Sequence, residues 1–329
     1  MDVVDRIAET VLYEGYILWP YRRSALKNQQ RWTFGGIYPP AYSASTGHTD
    51  ACTTQTQVLV EGDDRTEVEI SVRFLQVVRR QAVEMEGDRP AERDAVQAGG
   101  RRHLSWDESV ERRVDAPRLS LGKLAVGTAI PVAIPSGSAT ERLDERAALI
   151  RSWHSVEGRI RVSAEPLDER LWKLTVHIAN LSDWEGTDRP EAVRRSMVST
   201  HTVLRAAGGS FVSCTAPPEP LAGRVTECSN VGTWPILVGE APDTSTMLAS
   251  PIILYDYPQV APESPGMMFD GGEIDQLLVL NILSLTDDEK REMADTDPRA
   301  RQILEAAQAL SPQDLGRLHG RLAPGWTNK

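Results

Sequence analysis

The chain predicts an α+β fold: a mainly antiparallel β core, sandwich-like, closed by a C-terminal helical subdomain. Three observations carry that expectation. Apolar and polar residues alternate at Val58 and Val60, at Val68, Ile70, Val72 and Phe74, and again at Ile160, Val162, Leu174, Val176 and Ile178. Period-two alternation marks strands with one face packed and one solvated, which a buried parallel strand does not show. Between 270 and 285, Ile274, Leu277, Leu278, Leu280, Ile282, Leu283 and Leu285 leave almost no polar face, so a helix there belongs inside the protein or under a partner. Helix-start signals then recur: Thr286-x-x-Glu289 is a capping box, and Asp297-Pro298 and Ser311-Pro312 each place a cap before a proline at the first helical position. The chain divides accordingly into 1–53, an N-terminal helix, strand and aromatic-rich segment; 54–257, the antiparallel β core; and 258–329, the helical subdomain.

Taken in order, Val4, Ile7, Ala8, Val11 and Leu12 recur at helical spacing and Gly15 can end the helix. Tyr16 to Trp19 reads as a strand stopped by Pro20. From Thr54 the alternation predicts an antiparallel hairpin, with Glu61-Gly62-Asp63-Asp64 as its turn and a second arm running on towards Val83. Residues 86–101 are acidic, Arg-rich and weakly hydrophobic, and predict a flexible loop. Strands follow at His103–Trp106, Arg112–Leu121 and Ala129–Ile134, and RLDERAALIRSW reads as helical or mixed. A second hairpin spans 159–182. Pro190–Ser199 starts as a helical turn, Thr200–Ala206 carries His201, and Phe211–Cys214 and Trp234–Val238 are short strands around a helix at Leu221–Cys228. Pro251 to Tyr255 reads as a buried strand. Pro258, Pro262 and Pro265 then make an extended crossing to the leucine-rich helix from Asp270, and further helices are expected at 287–294, 298–309 and 312–320.

With 329 residues, 40% hydrophobic and 25% charged, the chain has an ordinary globular composition and can bury a large core. The net charge of −11 argues against nucleic acid or an anionic membrane surface as partner, because both repel it. The three cysteines, Cys52, Cys214 and Cys228, are too far apart in sequence for a CxxC site and too few for a disulfide framework. No signal peptide is read at the N-terminus and no run approaches a membrane span. A cytoplasmic protein without a cofactor is the expectation.

Candidate sites fall into three groups. Tyr13, Tyr16, Trp19, Tyr21, Trp32, Phe34, Tyr38 and Tyr42 cluster with Arg22, Arg23, Lys27 and Arg31. Guanidinium planes stack on such rings, so Tyr13, Trp19, Tyr21, Arg22, Arg23 and Trp32 are candidate partner-binding anchors; the alternative is that the rings pave one edge of a core. Asp256, Glu263, Asp270, Glu273 and Asp275 crowd another region. Asp270 and Glu273 stand three apart at a helix start, where capping and the dipole favour acids, so capping is preferred to metal binding. With His201, in STHTVLRAAGG, Asp270, Glu273 and Asp275 form an alternative polar site, although no GxSxG accompanies His201 and a hydrogen-bonded structural histidine is the plainer reading. His48, Asp50 and Cys52, in TGHTDAC, have the residue types of a zinc or nickel site, but nothing completes four ligands, so they are weak metal candidates. Gly35-Gly36, Gly208-Gly209 and Gly271-Gly272 form neither GxGxxG nor GxxxxGK[ST] and read as turns.

The strings MDVVDRIAETVLYEGYILWPYRRSALKNQQRWTFGG, STHTVLRAAGGSFVS, SPIILYDYPQVAPESPGMMFDGGEIDQLLVLNILSLTDDEKREM and DPRARQIL together resemble a family encoded beside actinobacterial-type, high-affinity NiFe hydrogenases and their maturation genes. The similarity covers both ends and the 200s and leaves about 75–155 unmatched. His48 and Cys52 are not positions of the family pattern, and no catalytic residues carry over. The resemblance implies a non-enzymatic accessory factor that acts by protein–protein binding in hydrogenase assembly or maturation, with a hydrogenase subunit or a maturation protein as partner. Two other readings stand beside it: a metal-dependent enzyme, and a β-sandwich module for a small ligand.

Overall fold

The computed structural model describes residues 3–13, 34–86, 89–258 and 281–309. Helix α1 (Val3–Leu12) and α2 (Pro40–Ser45) precede β1 (Thr53–Glu61). There follow β2 (Glu67–Glu86), β3 (Arg89–Arg93), β4 (Ala95–Ala98), β5 (Arg101–Leu104), β6 (Trp106–Asp115), β7 (Leu119–Ser120), α3 (Leu121–Leu124), β8 (Thr128–Ile134), β9 (Gly137–Arg142), β10 (Ala147–Trp153), β11 (Val156–Asp168) and β12 (Leu171–Asn180). After α4 (Arg189–Val193) come β13 (Val198–Ala207), β14 (Ser210–Phe211), α5 (Ala222–Thr226), β15 (Trp234–Leu237) and β16 (Thr246–Ser250), and α6 (Asp287–Thr296) and α7 (Pro298–Ala309) close the described chain. Every strand pairing among these elements is antiparallel.

Two sheets face each other across one core. The five-stranded sheet runs β14-β1-β12-β11-β8, and the nine-stranded sheet is built on β15-β16-β13-β2-β10-β9. Val58, Val60, Ile160, Val162, Leu174, Val176 and Ile178 from the first meet Val68, Ile70, Val72, Phe74, Leu204 and Met247 from the second. Burying a residue of this size contributes about 1.5–3 kcal/mol, so this layer supplies much of the driving force. The alternation legible in the sequence is the inner face of these strands.

Strand β2 is the spine of the larger sheet. Its 20 residues span about 65 Å at a strand's usual rise. One edge takes β13 along Glu67–Leu75 and then β10 along Arg79–Glu84. The other takes β7, then β6 along Ser71–Arg80, then β3. Its outer face carries Leu75 and Val77, which pack with Leu12, Tyr13, Ala192, Val193, Ile282, Met293, Ile303 and Leu304. Helices α1, α4, α6 and α7 therefore lie on the outer face of this sheet, and Arg80 ties α6 to it. Its Nη2 donates to the Thr296 carbonyl at the end of α6 at 3.0 Å, its Nη1 to Glu108 at 2.5 Å and its Nε to the Leu104 carbonyl at 3.0 Å. A guanidinium at a helix C-terminus meets the negative end of the dipole. The expected capping box is present, with Glu289 N donating to Thr286 Oγ1 at 3.3 Å and Thr286 N to Glu289 Oε2 at 2.9 Å.

Four local expectations change. The segments 54–61 and 67–83 are both strands but not a hairpin: β1 pairs with β12 and β14, whereas β2 pairs within the other sheet. The intervening residues turn a corner between sheets, held by Asp63 Oδ1 accepting from Arg65 N and Thr66 N, and by Thr66 Oγ1 donating to the Gly208 carbonyl. Residues 89–93 and 95–98 form β3 and β4 rather than a loop: Arg93–Glu84 and Arg79–Glu92 pairs hold β3 along β2, and Val96 and Ala98 of β4 pack with Ala82, Ala147 and Leu149. The segment 142–153 contains β10 rather than helix, because its apolar run is taken up between β2 and β9. The strand near 250 ends at Ser250; Ile253 and Tyr255 beyond it are 73% and 86% exposed. Asp256 anchors that stretch, its Oδ1 accepting from Leu237 N and its Oδ2 from Ser213 Oγ and Thr215 Oγ1. The 159–182 hairpin forms as expected, as β11 and β12. The strand expected at Tyr16–Trp19, most of the leucine-rich helix and the helix at 312–320 lie outside the described residues.

Candidate functional site

A cleft of about 240 Å³ opens beside the start of β1 and the start of β15, one strand from each sheet. Its walls come from five places in the chain: Phe34–Tyr38, Thr49–Ala51 with Thr53 and Thr54, Thr200, Gly232 and Trp234 at the turn into β15, and Pro251. The Phe34–Tyr38 segment is laced to the start of β13, with Ile37 N donating to Met197 O, Ser199 N to Phe34 O and Thr200 N to Gly35 O. Gly35 makes that approach possible. Its φ is +52°, and a Cβ there would lie 2.6 Å from Pro251 Cβ, a conformation and a space only glycine accepts. Across the cleft, Thr54 Oγ1 donates to the Val231 carbonyl at 2.6 Å and Gln55 bridges Val231, which joins the edge of one sheet to the turn that feeds the other. Asn180, buried on β12, fixes the floor: its Nδ2 donates to Ile37 O and Arg195 O, and its Oδ1 accepts from Ser182 N.

The lining mixes open aromatic rings with polar groups. Phe34 and Trp234 remain 39% and 44% exposed; rings left this open beside a recess are available to a partner. Thr49, Thr53, Thr54 and Thr200 line the cleft, and Asp50 is the charged residue among its described lining residues. Asp50 Oδ2 accepts from the Tyr42 hydroxyl at 3.1 Å. Burial first, then the neighbouring Asp50 carboxylate, raises the Tyr42 pKa, so the phenol keeps its proton and stays a donor. Tyr42 is held between Tyr38 and Trp184, with ring centres 5.5 and 6.3 Å away, and the Arg195 guanidinium lies 5.0 Å from the centre of the Trp184 ring. Burial pushes the Tyr38 hydroxyl up to about 12.

The residues singled out from sequence are dispersed. Asp50 lines the cleft, but His48 and Cys52 do not. His48 is exposed at a φ of +63°, with Nδ1 3.3 Å from Ser43 Oγ, and Cys52 is half-buried with its carbonyl accepting from Asn180 N. Among the described residues, no three His, Cys, Asp or Glu side chains gather as a metal site would require. His201 is 1% exposed and sits on the outer face of β13, opposite Arg73. Its Nδ1 lies 3.1 Å from the Ser199 carbonyl; a carbonyl only accepts, so Nδ1 carries the proton. Nε2 is then a bare acceptor without a hydrogen-bond partner among the described residues, and burial pushes the pKa down to about 4. A bulge between Val198 and His201, with Ser199 at a φ of +52°, sets this position. Tyr13 is 6% exposed and packs in the core beneath the Arg299 guanidinium, 3.3 Å from its ring centre. Tyr13, Tyr38 and Tyr42 thus pave a core, whereas Phe34 faces out. Trp19, Tyr21, Arg22, Arg23, Trp32, Asp270, Glu273 and Asp275 lie outside the described residues.

Sequence reading missed Trp234 and the role of Phe34 as a pair. The signal was present in Val231-Gly232-Thr233-Trp234-Pro235, where a glycine turn delivers an aromatic residue beside a proline, which suits an edge strand. No known protein-family model matches the chain, and comparison with curated proteins returns no relative.

Proposed function

We propose that this chain is a non-enzymatic accessory factor in NiFe-hydrogenase assembly or maturation, and that it works by binding a protein partner at the cleft between the sheet margins. The observation that carries the binding reading is the pairing of two half-open rings, Phe34 and Trp234, over a recess of about 240 Å³. That volume lies below the roughly 300–1,000 Å³ of pockets that engulf an organic ligand. It suits one side chain presented by a partner, with the exposed rings flanking it as interface anchors do. The choice of hydrogenase as partner is supported by the resemblance of the two chain ends and the 200s.

The test is retention of purified hydrogenase subunits and their maturation proteins on the immobilised full chain, together with hydrogenase activity in a deletion strain. Stoichiometric retention of one of these proteins, weakened about tenfold or more by Trp234→Ala as expected for an anchor, supports the proposal. No retention, combined with normal hydrogenase activity in the deletion strain, overturns it.

A further inference from the structure

We infer that the cleft receives a positively charged side chain, lysine or arginine, from the partner protein; this deepens the binding role proposed above and rests on it. Asp50 is charged, half-buried and forms no ion pair with a described residue, and the only described side chain bonded to its carboxylate is the neutral Tyr42 hydroxyl on Oδ2. Oδ1 is left for a donor that enters from outside. A carboxylate already oriented by a phenol gives a charge-assisted bond to an ammonium or guanidinium. The faces of Phe34 and Trp234 at the rim favour the same charge, because aromatic faces attract cations. The threonine hydroxyls and the Gly232 turn in the wall carry no charge to oppose it, and the Arg189 guanidinium that acts on Tyr38 and Tyr42 is already hydrogen-bonded to the Tyr38 hydroxyl. A long basic side chain fits the dimensions: its methylene stem passes between the rings while its head reaches the acid, as such side chains do over apolar surfaces. The net charge of −11 steers a basic partner towards this chain and an acidic one away.

The experiment is a titration of the full isotopically labelled chain with Nα-acetyl-arginine methylamide, Nα-acetyl-lysine methylamide and the neutral Nα-acetyl-norleucine methylamide, followed by backbone amide and indole NMR signals. The two basic probes should move Gly36, Ala51, Thr54 and the Trp234 indole saturably, and norleucine should leave them in place. Asp50→Asn retains an oxygen for the Tyr42 hydroxyl and should weaken the basic probes about tenfold, the size of one charged hydrogen bond. Trp234→Ala, altered only at the rim, is the second variant should Asp50→Asn fail to fold, and should weaken the same probes. Equal response to norleucine, undiminished binding by Asp50→Asn, or no response to any probe would each overturn the inference. Hydrogenase subunits retained equally by wild type and Asp50→Asn would remove the basic anchor and leave the accessory role standing. Asp50-dependent binding of the basic probes without retention of any hydrogenase protein would remove the proposed partner and leave the cleft's chemistry standing.

Discussion

His201 makes folding stability sensitive to acid, and replacing it with asparagine should remove that sensitivity. In the folded chain burial holds its pKa at about 4, against about 6.5 for an unperturbed imidazole. Between those values the unfolded chain takes up a proton that the folded chain refuses. The stability tied to the neutral ring is therefore complete above pH 6.5, falls as the pH drops, and levels off below 4. Linkage puts the loss at about 2 kcal/mol by about pH 5 and about 3 kcal/mol in full. An asparagine side chain in its place does not titrate, while its amide can still donate to the Ser199 carbonyl. His154 and His177 also have lowered pKa values, both chiefly through burial, and contribute acid sensitivity of the same sign. The quantity to read is therefore the difference in pH slope between wild type and His201→Asn in urea unfolding followed by tryptophan fluorescence. Parallel slopes would show that the ring is not sealed in its neutral form, and the account of β13 packing would be wrong.

Three further substitutions probe the fold and the cleft. Thr286→Ala removes the side-chain half of the capping box at α6 and should cost about 1 kcal/mol in thermal unfolding. Asn180→Leu strands the Arg195 carbonyl and the Ser182 amide and leaves the Ile37 carbonyl with only the Met197 N–H, and should cost about 3 kcal/mol, measured by urea unfolding. Gly35→Ala forces a Cβ against Pro251 at a φ of +52°; about 1–3 kcal/mol of strain is expected, seen as faster hydrogen exchange at the amides of Ile37 and Thr200.

Several parts of the fold were legible in sequence because the pattern and the partner coincide. In β11 and β12 the alternation, the turn and the pairing are all local, so Ile160 through Ile178 could be read directly. At β1 and β2 the same alternation misleads: it reports which face is buried but not which strand lies alongside. Only the contacts at 61–66 decide that the chain changes sheet. Strands β3 and β4 are hidden for the opposite reason: β3 is held by arginine–glutamate pairs at an exposed margin, and in β4 the apolar signature shrinks to two small residues, Val96 and Ala98, in a strand of four. The apolar run Ala147–Ile150 belongs to a strand with neighbours on both edges, where period gives way to length and context. The cleft lay furthest from view. Phe34, Asp50, Thr200, Trp234 and Pro251 are each ordinary where they stand in the chain, and only the folded margins of β1, β13 and β15 bring them together. Asp50 was noticed for its neighbours His48 and Cys52, yet its working contact is Tyr42.

The long spine strand also governs how quickly this protein can form. Ile70 must find Leu204, Val83 must find Ala148, and Arg80 must find Trp106 on the opposite edge, so one twenty-residue segment waits for neighbours synthesised far downstream. Closing such distant pairings spends chain entropy before packing returns it, and domains rich in them fold on millisecond-to-second timescales. During that interval the Glu67–Leu75 edge that takes β13 stands open, and the nascent chain stays exposed to aggregation there until residues near 200 arrive.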